Sequence, residues 1–210
     1  IFADDIFTAT DIDALRDASL SALDAGAKLL DARRAAGWVR HCHGDLHLGN
    51  ICCLDGEPVL FDCIEFSDRI ARIDILYDLA FLLMDLWRRG LKRHANHCLN
   101  QYLAHLSAAD AEACIEGLGL LPLFLSCRAG VRGFVMARTA RSQPGTAALN
   151  DDARGYFALA QNFLRPPRQR LIAVGGLSGS GKSALARALA PAIGPAPGAL
   201  ILRSDEIRKQ

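Results

Sequence analysis

Net charge is almost absent: 24 Lys and Arg stand against 23 Asp and Glu, a formal +1 over 210 residues. That removes the bulk attraction to nucleic acid or to an anionic membrane that a strongly basic chain would have. No apolar run reaches the roughly 20 residues that a spanning helix needs. The most apolar stretches, "DLAFLLMDLW" and "IEGLGLLPLFLSC", are interrupted or bounded by Asp85 and Arg128 and read as buried helices. The first residues, "IFADDIFTAT", lack the basic start of a signal peptide. No CxxC pair occurs among the seven cysteines at 42, 52, 53, 63, 98, 114 and 127. The odd count and irregular spacing argue against a disulfide framework and point to a reducing compartment, the cytoplasm. His41, Cys42, His43, His47, Cys52, Cys53 and Cys63 crowd one stretch. Without a paired spacing they read as small buried hydrophobes and loop residues rather than a zinc centre.

What is present is a globular composition, 51% apolar and 22% charged. Charge is uneven: from residue 166 onward seven Lys or Arg face two Asp or Glu, while the remainder is net acidic. That fits an anion site near the C-terminal end. A start without Met and an end at "SDEIRKQ" lead us to expect a piece of a longer protein.

Along the chain, residues 11–37 predict a helix or helix pair, with leucines at helical spacing and Gly37 just past the end. "ICCLDGEPVLFDCIEF" predicts two strands around Asp55-Gly56, a strong hairpin signal. Residues 74 to about 163 read as helical, broken by a loop over "RSQPGTAALNDDARG". Pro166-Pro167 between arginines marks a boundary. Beyond it "LIAVGG" reads as a strand, "GLSGSGKS" as a loop, the next stretch as a helix, and "ALILRS" as a second strand.

The most informative stretch is "HGDLHLGN", residues 43–50, directly before the hairpin. A two-residue turn at Asp55-Gly56 pairs Leu54 with Glu57 and places Asn50 opposite Phe61. Asn50 and Asp62 then share the open end of the hairpin, within reach of Asp45. Two Asp and an Asn around one point suit oxygen ligation of Mg²⁺, which keeps waters and shares phosphate oxygens. A carboxylate left off the metal can accept a hydroxyl proton, the layout of phosphoryl transfer.

"HGDLHLGN" followed by "LFD" resembles the aminoglycoside and choline phosphotransferases, small-molecule relatives of protein kinases, whose signature is HGD-x-x-x-x-N and then an apolar pair and Asp. The resemblance implies Asp45 as the catalytic Asp, Asn50 and Asp62 as Mg²⁺ ligands, and His43 as a brace. It implies a structural role for Asp78 in "DILYDLAFLL". His47 and Glu65 read as a structural residue and a solvated strand end. The resemblance covers about residues 11–163, the C-terminal lobe of that fold.

"GLSGSGKS" at 176–183 fits G-x-x-x-x-G-K-[ST], a phosphate-cradling loop. Gly176, Gly179, Ser180 and Gly181 would turn backbone N–H groups toward phosphate, Lys182 would reach the β- and γ-phosphates, and Ser183 would ligate Mg²⁺. "RSDEIRK" resembles small-molecule and zeta-toxin-like P-loop kinases, which makes Asp205 a candidate base and Arg208 an anion contact; equally, Ser204 and Asp205 can cap a helix.

The expected architecture is mainly α with a catalytic β-hairpin, a protein-kinase-like C-lobe over residues 1–164. A linker at 165–170 and a partial α/β P-loop NTPase unit at 171–210 follow. The order resembles bacterial two-part proteins in which an aminoglycoside phosphotransferase-like domain precedes an ATPase or kinase. The expected function is ATP- and Mg²⁺-dependent phosphorylation of a small-molecule hydroxyl, without nucleic-acid or membrane partners. Alternatives are a regulatory or toxin-like P-loop kinase with the first lobe as sensor, and a non-catalytic fragment.

Overall fold

The computed structural model describes residues 6–142, 147–165 and 170–203. Helix α1 (Ala9–Ala35) starts where the Thr8 hydroxyl accepts the Asp11 N–H at 3.1 Å and ends before Gly37, at φ +80°. It is one helix, not a pair. Its leucine face is only partly covered: Leu29 and Leu30 pack on the core, while Leu20 and Leu23 stay exposed.

Two small antiparallel sheets follow. Strand β1 (Val39–His41) pairs with β4 (Arg72–Asp74), and β2 (Ile51–Leu54) pairs with β3 (Glu57–Leu60). The hairpin has the expected register, Leu54 opposite Glu57 and Ile51 opposite Leu60. Asp55 and Gly56 both take positive φ, 53° and 87°, as a tight two-residue turn demands. The β1–β4 pair was not expected from the sequence, because its strands lie about 30 residues apart and are short. A short helix α2 (Asp68–Ala71) leads into β4.

The core is helical. Helix α3 (Ile75–Arg88) carries Leu76, Ala80, Phe81, Leu83 and Met84, all fully buried. Helices α4 (Lys92–Ala104), α5 (Ala108–Gly117), α6 (Leu121–Ser142) and α7 (Ala147–Phe163) pack around it. The stretch 108–142, α5 running through a single 3₁₀ turn into α6, is long and apolar enough by composition to cross a membrane. Its most apolar window is 56% buried within the fold, as in a core helix. Beneath α1, the buried guanidinium of Arg33 grips Asp74 through two hydrogen bonds of 2.7 and 2.9 Å, and Asp74 also caps α3 by accepting the Leu76 N–H.

Two expectations need correction. The loop foreseen over residues 141–155 ends early, for α7 begins at Ala147. Burial overrides the turn-forming residues there. Ala153 and Tyr156 are buried against α6, where Gly133 lets the helices approach closely. The second correction concerns the two strands expected in "LIAVGG" and "ALILRS". Neither 171–176 nor 199–203 forms a strand, and the only sheets among the described residues are the two above. An extended segment becomes a strand only when a neighbour supplies ladder hydrogen bonds. These two segments instead flank a cavity of about 670 Å³ bounded by helix α8 (Lys182–Leu189). The C-terminal segment is tied to α4: buried Asn96 donates to the Ala199 carbonyl at 2.9 Å, and Asn100 accepts the Ile201 N–H at 2.8 Å. The Pro166-Pro167 boundary and Asp205, with Ser204 and Arg208, lie outside the described residues.

Candidate active site

Loop 43–50 is shaped by one face of α3. Asp78, Phe81 and Asp85 fall at helical spacing, so they line up along that face. Asp78 accepts the backbone N–H of His43 at 3.1 Å and of Gly44 at 2.9 Å. Phe81 meets the His47 ring edge-on, with centroids 5.2 Å apart. Asp85 accepts the Leu48 N–H at 3.1 Å. From α6, buried Arg128 donates to the Gly44 carbonyl at 3.0 Å while its guanidinium lies over the rings of Tyr77 and Phe81. Gly44 sits at φ +81°, and a Cβ there would come within 2.8 Å of Ile64. A side chain at this position would be both strained and crowded.

His43 closes the loop onto the hairpin's far strand. Its Nε2 lies 2.9 Å from the Phe61 carbonyl, which can only accept, so Nε2 carries the proton. Its own carbonyl accepts the Ile64 N–H at 2.9 Å. These two contacts bracket Asp62, which is exposed and held at φ +59°. A non-glycine residue in left-handed backbone is sustained by its surroundings, and such positions cluster at functional sites. The His43 Nδ1 is buried with no hydrogen-bond partner among the described residues.

Asp45 and Asn50 are in direct contact. The Asn50 Nδ2 donates to the Asp45 carbonyl and to its Oδ2, both at 3.0 Å. This leaves the Asn50 Oδ1 free of any side-chain hydrogen bond among the described residues. The Phe61 N–H donates to the Asn50 carbonyl at 3.1 Å, which extends the hairpin one pair and puts Asp62 just beyond it. His47 flanks the other side. Its Nδ1 accepts the Gly49 N–H at 3.0 Å, so the proton sits on Nε2, 3.4 Å from Asp45 Oδ2. Burial pushes the His47 pKa below its usual 6.5, against the pull of Asp45. The free Asn50 oxygen and the exposed Asp62 carboxylate are hard oxygen donors, and they fit Mg²⁺ with retained waters. No group of three His, Cys, Asp or Glu able to hold a metal occurs among the described residues.

The second loop is arranged differently. Gly176, Gly179 and Gly181 all take positive φ, at 153°, 76° and 83°. Lys182 folds its ammonium back on its own loop and donates to the carbonyls of Gly176 at 2.6 Å and Leu177 at 2.5 Å. Ser180 donates its backbone N–H to Leu177, Ser183 is exposed, and Gly179, Lys182 and Ser183 line the cavity beside α8.

The structure thus brings Asp45, Asn50 and Asp62 to one end of the hairpin, and Gly176 through Ser183 into one loop. Sequence reasoning missed Asp85 and Arg128 as partners of loop 43–50. Their signal was a charged residue inside an otherwise apolar helix, which is seldom buried without a partner.

Comparison with known proteins gives the family. Residues 3–117 match the model of the phosphotransferase enzyme family. The chain belongs to that family. Its helical body with two small sheets is consistent with the C-terminal lobe of a kinase-like enzyme, and enzymes of the family generally use ATP and Mg²⁺. Uncharacterised proteins of Mycobacterium bovis and of Mycobacterium tuberculosis strains CDC 1551 and H37Rv are each 35% identical over 188 residues. That alignment covers 89% of this chain and 35% of each relative, so the chain spans about a third of the length of the curated relatives it matches. No solved structure matches.

Proposed function

We propose that loop 43–50 and the hairpin transfer the γ-phosphoryl group of ATP to a hydroxyl of a small molecule, in the cytoplasm. The observation that carries this reading is the Asp45–Asn50 hydrogen bond beside an Asp62 held in left-handed backbone. Asp45, 41% exposed, faces the acceptor hydroxyl and takes its proton as the oxygen bonds to the γ-phosphorus and ADP leaves. The Asn50 contact and His47 hold the Asp45 carboxylate in one orientation, so little reorganisation remains at the moment of transfer. Asn50 and Asp62 would hold Mg²⁺, which when bound neutralises the phosphate oxygens. Neither nucleic acid nor membrane enters this reading.

Gly176, Gly179, Ser180, Gly181, Lys182 and Ser183 form a second nucleotide loop in the same proposal, Ser183 serving a second Mg²⁺ and Asp205 a second base. A partial P-loop NTPase unit over 171–210 is its setting. The Asn96 and Asn100 contacts to residues 199 and 201 favour one further reading, in which the P-loop half is the active part and the first lobe its sensor.

The test is ADP release from Mg-ATP with a mixture of small hydroxyl compounds. The first reading expects Asp45→Ala to abolish acceptor-dependent release and Lys182→Ala to spare it. Loss with Lys182→Ala alone favours the sensor reading. Loss with neither, at background turnover, overturns both.

A further inference from the structure

The charges around Asp45 speak to the acceptor. Three arginines surround loop 43–50, and two are committed. Arg128 binds the carbonyls of Gly44 and Tyr77, and Arg89 donates to Asp85 at 3.2 Å. Arg132 is the third. It lies one turn beyond Arg128 on α6 and therefore on the same face of that helix. It is half-buried, and no hydrogen bond or ion pair to it occurs among the described residues. Arg128 donates to the carbonyl of Gly44, the residue before Asp45, so Arg132 stands one helical turn along the face that meets the loop.

The neighbouring carboxylates do not neutralise it. Asp78 is occupied by two backbone N–H groups and by Arg128 at 3.7 Å, and Asp85 by the Leu48 N–H and Arg89. A guanidinium with no counter-ion among the described residues, partly withdrawn from water, is suited to grip an oxyanion through paired N–H donors. Val131 and Val135 are exposed on the same arc of α6 and offer apolar cover beside it. A polycation would meet like charge at this wall.

We propose that the acceptor is a small molecule bearing an oxyanion, a carboxylate or a phosphate, and that Arg132 holds that group while Asp45 faces the hydroxyl. The proposal rests on the phosphotransferase reading and adds the substrate class. Anchoring a distal anion fixes the hydroxyl against Asp45 and converts binding energy into orientation.

The test uses the His47 imidazole NMR signal as a local reporter, assigned with His47→Gln. The full chain carries Lys182→Ala so that the second loop does not compete, and EDTA removes metal. Inorganic phosphate, acetate and spermidine are titrated separately. The expected result is a saturable shift with phosphate or acetate and none with spermidine. Arg132→Gln should raise the half-saturating concentration about tenfold or more, and Arg132→Lys should recover part of it. A stronger response to phosphate names a phosphorylated acceptor, and one to acetate a carboxylic acid. No saturable shift with either anion, a shift unchanged in Arg132→Gln, or a saturable response to spermidine overturns the proposal. Phosphoryl transfer to a cationic acceptor would overturn it while leaving the phosphotransferase reading standing. Anion binding without any transfer from ATP would sink that reading and leave the Arg132 site.

Discussion

Loop 43–50 and loop 176–183 each carry glycines and polar residues in a phosphate-directed motif, yet they are held in different ways. The first is gripped from outside. Asp78, Asp85 and Arg128, all buried and 34 to 84 residues away along the chain, bind its backbone at Gly44 and Leu48. The second is held by Lys182 within its own turn, and α8 behind it has no buried residue. Preorganisation therefore comes to the first loop with the core of the lobe. In the second it depends on what the loop binds.

The largest test of this contrast is Asp78→Ala. It removes the acceptor of two N–H groups and the ion-pair partner of buried Arg128. Breaking a buried pair in this way costs about 3–5 kcal/mol. Urea unfolding should show a loss of that size, against no more than about 0.5 kcal/mol for Lys182→Ala at its exposed turn. Equal losses would erase the distinction between the loops.

Next in size is the tie between the two halves. Asn96→Ala should destabilise by about 0.5–1.5 kcal/mol, because it removes the shorter of two hydrogen bonds to the Ala199 carbonyl, the other coming from Asn100 at 3.3 Å. Faster hydrogen exchange at Ile201, with loop 43–50 unchanged, would confirm that the effect is confined to the second half.

Asp62→Gly sharpens the contrast in the opposite direction. Glycine relieves the left-handed backbone at φ +59°, worth up to about 1 kcal/mol. The variant should melt slightly higher while losing Mg-dependent nucleotide binding. A lower melting temperature would mean that the His43 clamp does not impose strain.

The smallest effect is on pH. His47 is held below its usual 6.5 by burial, so the unfolded chain binds its proton more readily. Its contribution to stability is present above that value and is lost as pH falls through it. His47→Gln should flatten the acid side of the stability profile. Cys42, pushed up to about 11 chiefly by burial, should alkylate after the exposed Cys52, Cys53 and Cys63.

These contrasts also show what a sequence can disclose. The hairpin was legible because Asp55-Gly56 sets its own register locally, and register then aligned Asn50 with Phe61 and Asp62. The contact of Asp45 with Asn50 followed from a five-residue separation. The grip of Asp78, Asp85 and Arg128 was not legible, since it depends on which face of α3 and α6 the fold turns toward the loop. Burial of Ala153 and Tyr156 defeated the turn signals before α7. The apolar segments at 171–176 and 199–203 look like strands, but strand formation is a property of a pair. Asn100 occupies the backbone of Ile201 in place of a neighbouring strand.

The central claim is that the Asp45–Asn50–Asp62 end of the hairpin is a nucleotide and Mg²⁺ site distinct from the glycine-rich loop. Calorimetry of Mg-ATP binding to the chain, to Lys182→Ala and to Asp62→Ala tests it most directly. The account predicts Mg-dependent binding that survives Lys182→Ala and is lost from the first site in Asp62→Ala. Binding abolished by Lys182→Ala and indifferent to Asp62→Ala would contradict it.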